Sequence, residues 1–133
     1  MTDRIRWIPN WIPWKRAFVW WGFAKQPTIY IPRKRKSNAQ WVDRTLAHER
    51  VHVLQWKKLG RVRFLRTYLG KHGRLDLEAE AFAESVRWMT SLWPGSRSYG
   101  QPYWFNRYAN SLAKKYHLLY TVDECRTAIE GWL

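Results

Sequence analysis

The chain has 133 residues, 24 Lys+Arg against 10 Asp+Glu, 46% hydrophobic residues and 11 Trp, which fits one domain with a modest, ring-rich core. No apolar run approaches the roughly 20 residues of a membrane span, and the start lacks the continuous apolar segment of a signal peptide. The single Cys125 excludes an internal disulfide and fits a reducing, cytoplasmic setting, where its expected role is inert packing.

Residues 1–16 carry Pro9 and Pro13 among Trp and Ile and read as an irregular, aromatic-anchored arm. The prolines argue against an amphipathic helix lying in lipid headgroups, so packing across the fold is expected of it. The segments Ala17–Phe23 and Thr28–Ile31 are rich in aromatic and β-branched residues, and Lys25-Gln26-Pro27 between them predicts a β-hairpin. Pro32 ends its second strand or marks it as an edge. The run Arg33-Lys34-Arg35-Lys36 predicts an exposed basic loop.

A first major helix is predicted from Asp43, as N-cap, to Leu59, with Gly60 as its stop. A shorter helix over Arg61–Leu69 places Val62, Leu65 and Leu69 on one side. Gly70-Lys71-His72-Gly73 reads as a turn, leaving His72 exposed. A second major helix runs from Asp76 to Trp93 and stops at Pro94-Gly95. After a polar loop, helices are predicted over residues 102–119, with Phe105, Tyr108, Leu112 and Tyr116 near helical spacing, and from Asp123 to Gly131. The sum is a mainly helical α+β fold with a short N-terminal sheet: an arm (1–16), a core (17–93) and C-terminal helices (94–133).

Within the first helix, His48-Glu49-Arg50-Val51-His52 spells H-E-x-x-H. Imidazoles one helical turn apart can grip one Zn²⁺, with the glutamate between them placed to take a proton from water. Such a site needs a third protein ligand. Gln55 and Lys58 occupy the positions where a metzincin would continue its motif, so the ligand must come from a later helix. Leu75 to Glu84 offers Glu78 and Glu80, which differ by about 200° around a helix and cannot both face the metal. Glu78 shares its side with Phe82, Val86 and Met89, an inward face where an unpaired carboxylate is costly. Glu80 shares its side with Glu84, Arg87 and Ser91. Glu78 is therefore the favoured ligand, with Glu80 still open.

This pattern resembles the gluzincin metallopeptidases, in which H-E-x-x-H on one helix is followed by E-x-x-A on the next, here Glu78-Ala79-Glu80-Ala81. It is similar to short zincin-like proteins of bacteria and bacteriophages, and the likeness covers residues 28–93. The resemblance implies a zinc metalloprotease with His48, His52 and Glu78 as ligands, Glu49 as general base, and a peptide or protein as substrate. It also implies a strand before the first helix, here Thr28–Ile31, whose edge pairs with that substrate. Phe82 stands where the family often has Asp or Asn, removing a hydrogen bond expected to support a ligand. Tyr99, Tyr103, Tyr108 and His117 are candidate donors to the oxyanion.

Charge supplies the competing reading. Residues 1–74 hold 18 Lys+Arg against 3 Asp+Glu (+15), and residues 75–133 hold 6 against 7 (−1). That field favours a polyanion such as nucleic acid, with the metal site structural or vestigial. No zinc-finger, helix-turn-helix or RNP signature accompanies it. A virion-associated structural component, with exposed aromatics as docking surface, is the third expectation.

Overall fold

The computed structural model describes residues 4–13, 15–21, 27–92, 101–115 and 120–133. Three strands, β1 (Ile5–Ile8), β2 (Phe18–Trp21) and β3 (Pro27–Pro32), form one sheet in the order β1-β3-β2. β2 and β3 are antiparallel, as the hairpin expectation has it, with Val19 opposite Ile29. β1 runs parallel to β3, Ile5 opposite Ile29 and Trp7 opposite Ile31.

Two expectations fail here. The arm is not irregular throughout, because Ile5–Ile8 forms a strand ahead of its first proline. Nor is β3 an edge: it is the central strand. Pro27 and Pro32 sit at its two ends, so residues 28–31 keep every N–H for the two ladders. Ile29 and Ile31 are fully buried and pack with Val53 of the following helix.

That helix, α1 (Ala39–Leu59), starts four residues before the predicted cap. Asn38, not Asp43, is its N-cap, its side-chain oxygen accepting the Trp41 N–H at 3.0 Å. Gly60 does end it, at φ 79° and ψ 160°, a region open essentially to glycine alone. α2 (Arg61–Leu69) has the predicted bounds but a different inward face. Val62 and Leu69 are 70% and 77% exposed, whereas Phe64 is buried and stacks on Tyr68 at 5.9 Å. An aromatic i, i+4 pair buries more apolar surface than the aliphatic stripe would.

α3 (Lys71–Leu92) takes in the predicted turn. Arg74 N–H donates to Gly70 O at 2.9 Å, closing the first helical turn. His72 is exposed, as expected, beside the Tyr120 hydroxyl. α4 (Gln101–Lys115) buries Trp104, Tyr108 and Leu112, with Phe105 at the margin. α5 (Val122–Glu130) is capped by Thr121, not Asp123, in a reciprocal capping box with Glu124. Cys125 is a free, fully buried thiol in the core that α3, α4 and α5 share. Among the described residues the architecture is a mainly helical α+β fold with five α-helices and a small mixed sheet. Among the described residues no helix is long and apolar enough to cross a membrane.

Candidate metal centre

α1 packs along α3; α1 buries two imidazoles and a carboxylate there, and α3 buries a carboxylate. His48 and His52 face α3 because Ala47, Val53 and Trp56 on neighbouring positions of α1 are also drawn into the core. Glu78 reaches them from α3, where Phe82, Val86 and Met89 continue the same buried face. His48 Nε2 lies 3.2 Å from Glu78 Oε2, and His52 Nε2 lies 3.4 Å from Glu78 Oε1. One ligand atom from each of the three residues falls within 4.8 Å of the others.

These donors fit zinc. Tetrahedral ligation at about 2.0–2.1 Å sets neighbouring donors roughly 3.3 Å apart; the imidazole–carboxylate contacts, at 3.2 and 3.4 Å, run to different oxygens of Glu78, and the three ligand atoms lie within 4.8 Å of one another. Two nitrogens and one oxygen leave a fourth position for solvent or substrate. Glu80, the alternative ligand, turns away and accepts a hydrogen bond from Gln55 Nε2 at 2.7 Å.

The supporting shell comes from residues the motif did not single out. His52 Nδ1 donates to Gln55 Oε1 at 2.8 Å, which leaves Nε2 as the nitrogen that faces Glu78. Gln55 Nε2 also donates to Leu77 O at 3.0 Å, tying the ligand helix to α3. The Tyr68 hydroxyl donates to Glu78 Oε1 at 2.8 Å. Ser85 Oγ stands 3.5 Å from His48 Nδ1. Phe82, standing where the resembled family often has Asp or Asn, packs edge-on against the His48 ring at 4.7 Å. Gln55 lies three residues after His52 on the same helical face, so spacing alone could have marked it. Tyr68 carried no such signal, since its place depends on how α2 turns inward.

Burial penalises the charge of Glu78, but the attraction of His52 and hydrogen bonds from both histidines outweigh it and hold the carboxyl well below its usual range. Burial alone would lower His52; the charges of Glu78 and Glu49, with hydrogen bonds to Glu78 and Gln55, carry it up to about 9. Burial pushes Glu49 up, opposed by His48 and His52 and reinforced by Glu78. Burial and the Glu78 charge push the Tyr68 hydroxyl far up, so it stays a neutral donor.

Glu49 is buried, yet with His48 it lines two cavities. The larger, about 830 Å³, also touches His52 and Glu78 and is walled by Trp7, Ile12, Phe18, Trp20, Phe64 and Tyr68 among others. The smaller, about 340 Å³, is basic. Of the candidate oxyanion donors, Tyr108 lines the smaller cavity, Tyr103 lines neither, and Tyr99 and His117 lie outside the described residues. Comparison with protein-family models, with curated proteins and with solved structures finds no match to this chain.

Proposed function

We propose that this protein is a zinc-dependent peptidase of gluzincin type, with His48, His52 and Glu78 as metal ligands and Glu49 as general base. The observation that carries the reading is the convergence of both imidazoles with a buried carboxylate on another helix, at 3.2 and 3.4 Å, on the wall of a substrate-sized cavity. Zinc held there supplies Lewis acidity, bringing the pKa of water towards about 7 and polarising a carbonyl.

Glu49 performs the proton chemistry. Its carboxylate takes a proton from the attacking water and delivers it to the departing amine, and burial, by raising its affinity for that proton, suits it to both steps. Tyr68 and Gln55 are positioning residues, holding Glu78 and His52 in their orientations. An extended peptide does not pair with β3, whose two edges are taken. β2 contributes Phe18, Val19 and Trp20 to the large cavity and is the strand to which a substrate adds.

Metal analysis of the purified protein tests the ligand set: about one zinc per chain is expected, lost in His48→Ala and Glu78→Ala. Glu49→Gln keeps the metal and abolishes hydrolysis of peptides; hydrolysis that survives this change removes Glu49 from its role. A second reading, polyanion binding around a structural zinc, draws support from the +15 balance of residues 1–74. A structural site, however, has no use for the buried Glu49.

A further inference from the structure

The two cavities that meet at His48 and Glu49 differ in chemistry. Lys15, Arg16, Arg35, Arg44 and Arg107 line the smaller one, and Glu49 is the only acid among its described lining residues. Among the described residues no carboxylate pairs with Lys15, Arg35, Arg44 or Arg107. Arg35 stacks over Trp41 at 5.3 Å, and Arg107 lies 5.9 Å from the centre of the Trp104 ring. Aromatic faces hold a guanidinium in place without neutralising it.

Tyr108 completes the wall; it is 6% exposed, with its hydroxyl beside the Arg44 guanidinium. The larger cavity on the other side of Glu49 is mostly aromatic and aliphatic.

We infer that the basic bay is the subsite for a carboxylate of the substrate, while the aromatic cavity takes a bulky apolar side chain from the opposite side of the scissile bond. The inference rests on the peptidase reading and gives it a substrate class: peptides in which a large apolar residue adjoins an acidic residue or a free chain end. A segment crossing from one cavity to the other passes His48 and Glu49, which border both.

The test is binding to zinc-loaded Glu49→Gln, followed by tryptophan fluorescence, with short peptides that pair Phe with Glu, Gln or Lys in either order. Each is made with a free and an amidated C-terminus. The Glu peptide is expected to bind at least about tenfold tighter than the Gln peptide, as one charge-assisted hydrogen bond implies. Loss of affinity on amidation alone assigns the carboxylate to the chain end; loss on Glu-to-Gln exchange alone assigns it to the side chain. Arg44→Gln with Arg107→Gln should erase the preference, whichever carboxylate carries it, and leave the affinity of the amidated Gln peptide within about twofold. Should that pair fail to fold, the exposed Lys15→Gln with Arg35→Gln gives the same reading.

Arg63→Gln with Arg66→Gln removes equal charge from α2 and should change nothing. Affinity that changes neither on Glu-to-Gln exchange nor on amidation overturns the proposal, as does an equal loss in the α2 control. So does a short oligothymidylate of matched charge that outcompetes the acidic peptide and depends on the same arginines. If the wild-type enzyme hydrolyses none of these peptides while the preference persists, the peptidase reading fails and the carboxylate subsite stands.

Discussion

His52 links the metal centre to solution pH. With a pKa raised to about 9, it is protonated on both nitrogens near neutrality when no metal is bound, Nδ1–H donating to Gln55 Oε1 and Nε2–H facing Glu78 Oε1. Zinc can take Nε2 only when that proton leaves. Calorimetric titration at pH 7 in buffers of different ionisation enthalpy is therefore expected to show about one proton released per zinc. Apparent affinity should rise about tenfold per pH unit up to roughly 9 and then level off. The same shift governs metal-free stability. A histidine raised in the folded state contributes fully below its unfolded value of about 6.5, and the contribution is lost as pH rises through about 9. Glu78 acts in the opposite sense, contributing above the ordinary carboxylate range and losing that contribution as pH falls. Tyr68→Phe removes one hydrogen bond to Glu78 and keeps the ring stack with Phe64. It should weaken zinc binding by about 10–100-fold with little effect on folding, read by competition with a chromogenic chelator.

At the scale of elements, the α2–α3 junction sets where Tyr68 and Glu78 meet. Gly73 lies in the first turn of α3 against the end of α2, and an added Cβ would collide with the Thr67 carbonyl and come within 2.8 Å of its Cγ2. Gly73→Ala should cost about 1–3 kcal/mol in denaturant unfolding and loosen zinc binding, because the collision pushes Tyr68 away from Glu78. Gly70→Ala, where the nearest atom is at 3.5 Å, is the silent counterpart. This junction also marks where sequence reading loses its grip. Gly70 and Gly73 look like a turn, since glycine is a poor helix former, but the close packing on Thr67 demands a residue without Cβ inside a helix. The inward face of α2 departs from its apolar spacing for a related reason: Val62 and Leu69 have the right spacing, but the site and the sheet draw Phe64 and Tyr68 instead. By contrast, the face of α3 that carries Glu78 was legible, because a carboxylate at helical spacing with Phe82, Val86 and Met89 has few ways to be satisfied. The central position of β3 was not legible, since pairing of β1 in parallel depends on residues distant in the chain.

For the molecule as a whole, the proposed metal centre lies at a seam. One core joins α3, α4 and α5; another joins the sheet to α1; a third, around Trp56, Phe64 and Leu77, bridges α1, α2 and α3. Between α1 and α3, the seam is filled by His48, Glu49, His52, Gln55 and Glu78, all buried and polar. These residues bury polar groups where the cores around them bury apolar ones, and without a cation their charges must satisfy one another. A metal that binds only the folded chain ties the sheet half to the helical half through His48, His52 and Glu78. At 100 times its dissociation constant, free zinc adds about 2.7 kcal/mol to stability, which in a fold of this size moves the melting temperature by on the order of 10 °C. Scanning calorimetry with zinc and with chelator should show that shift, and His48→Ala should abolish it. Hydrogen exchange localises the effect: on chelation, the amides of α1 and α3 around residues 48–55 and 78–85 should lose protection, while those of α5 keep theirs. Uniform loss across α5 as well would mean that the seam does not open separately, and that the metal stabilises one cooperative unit instead.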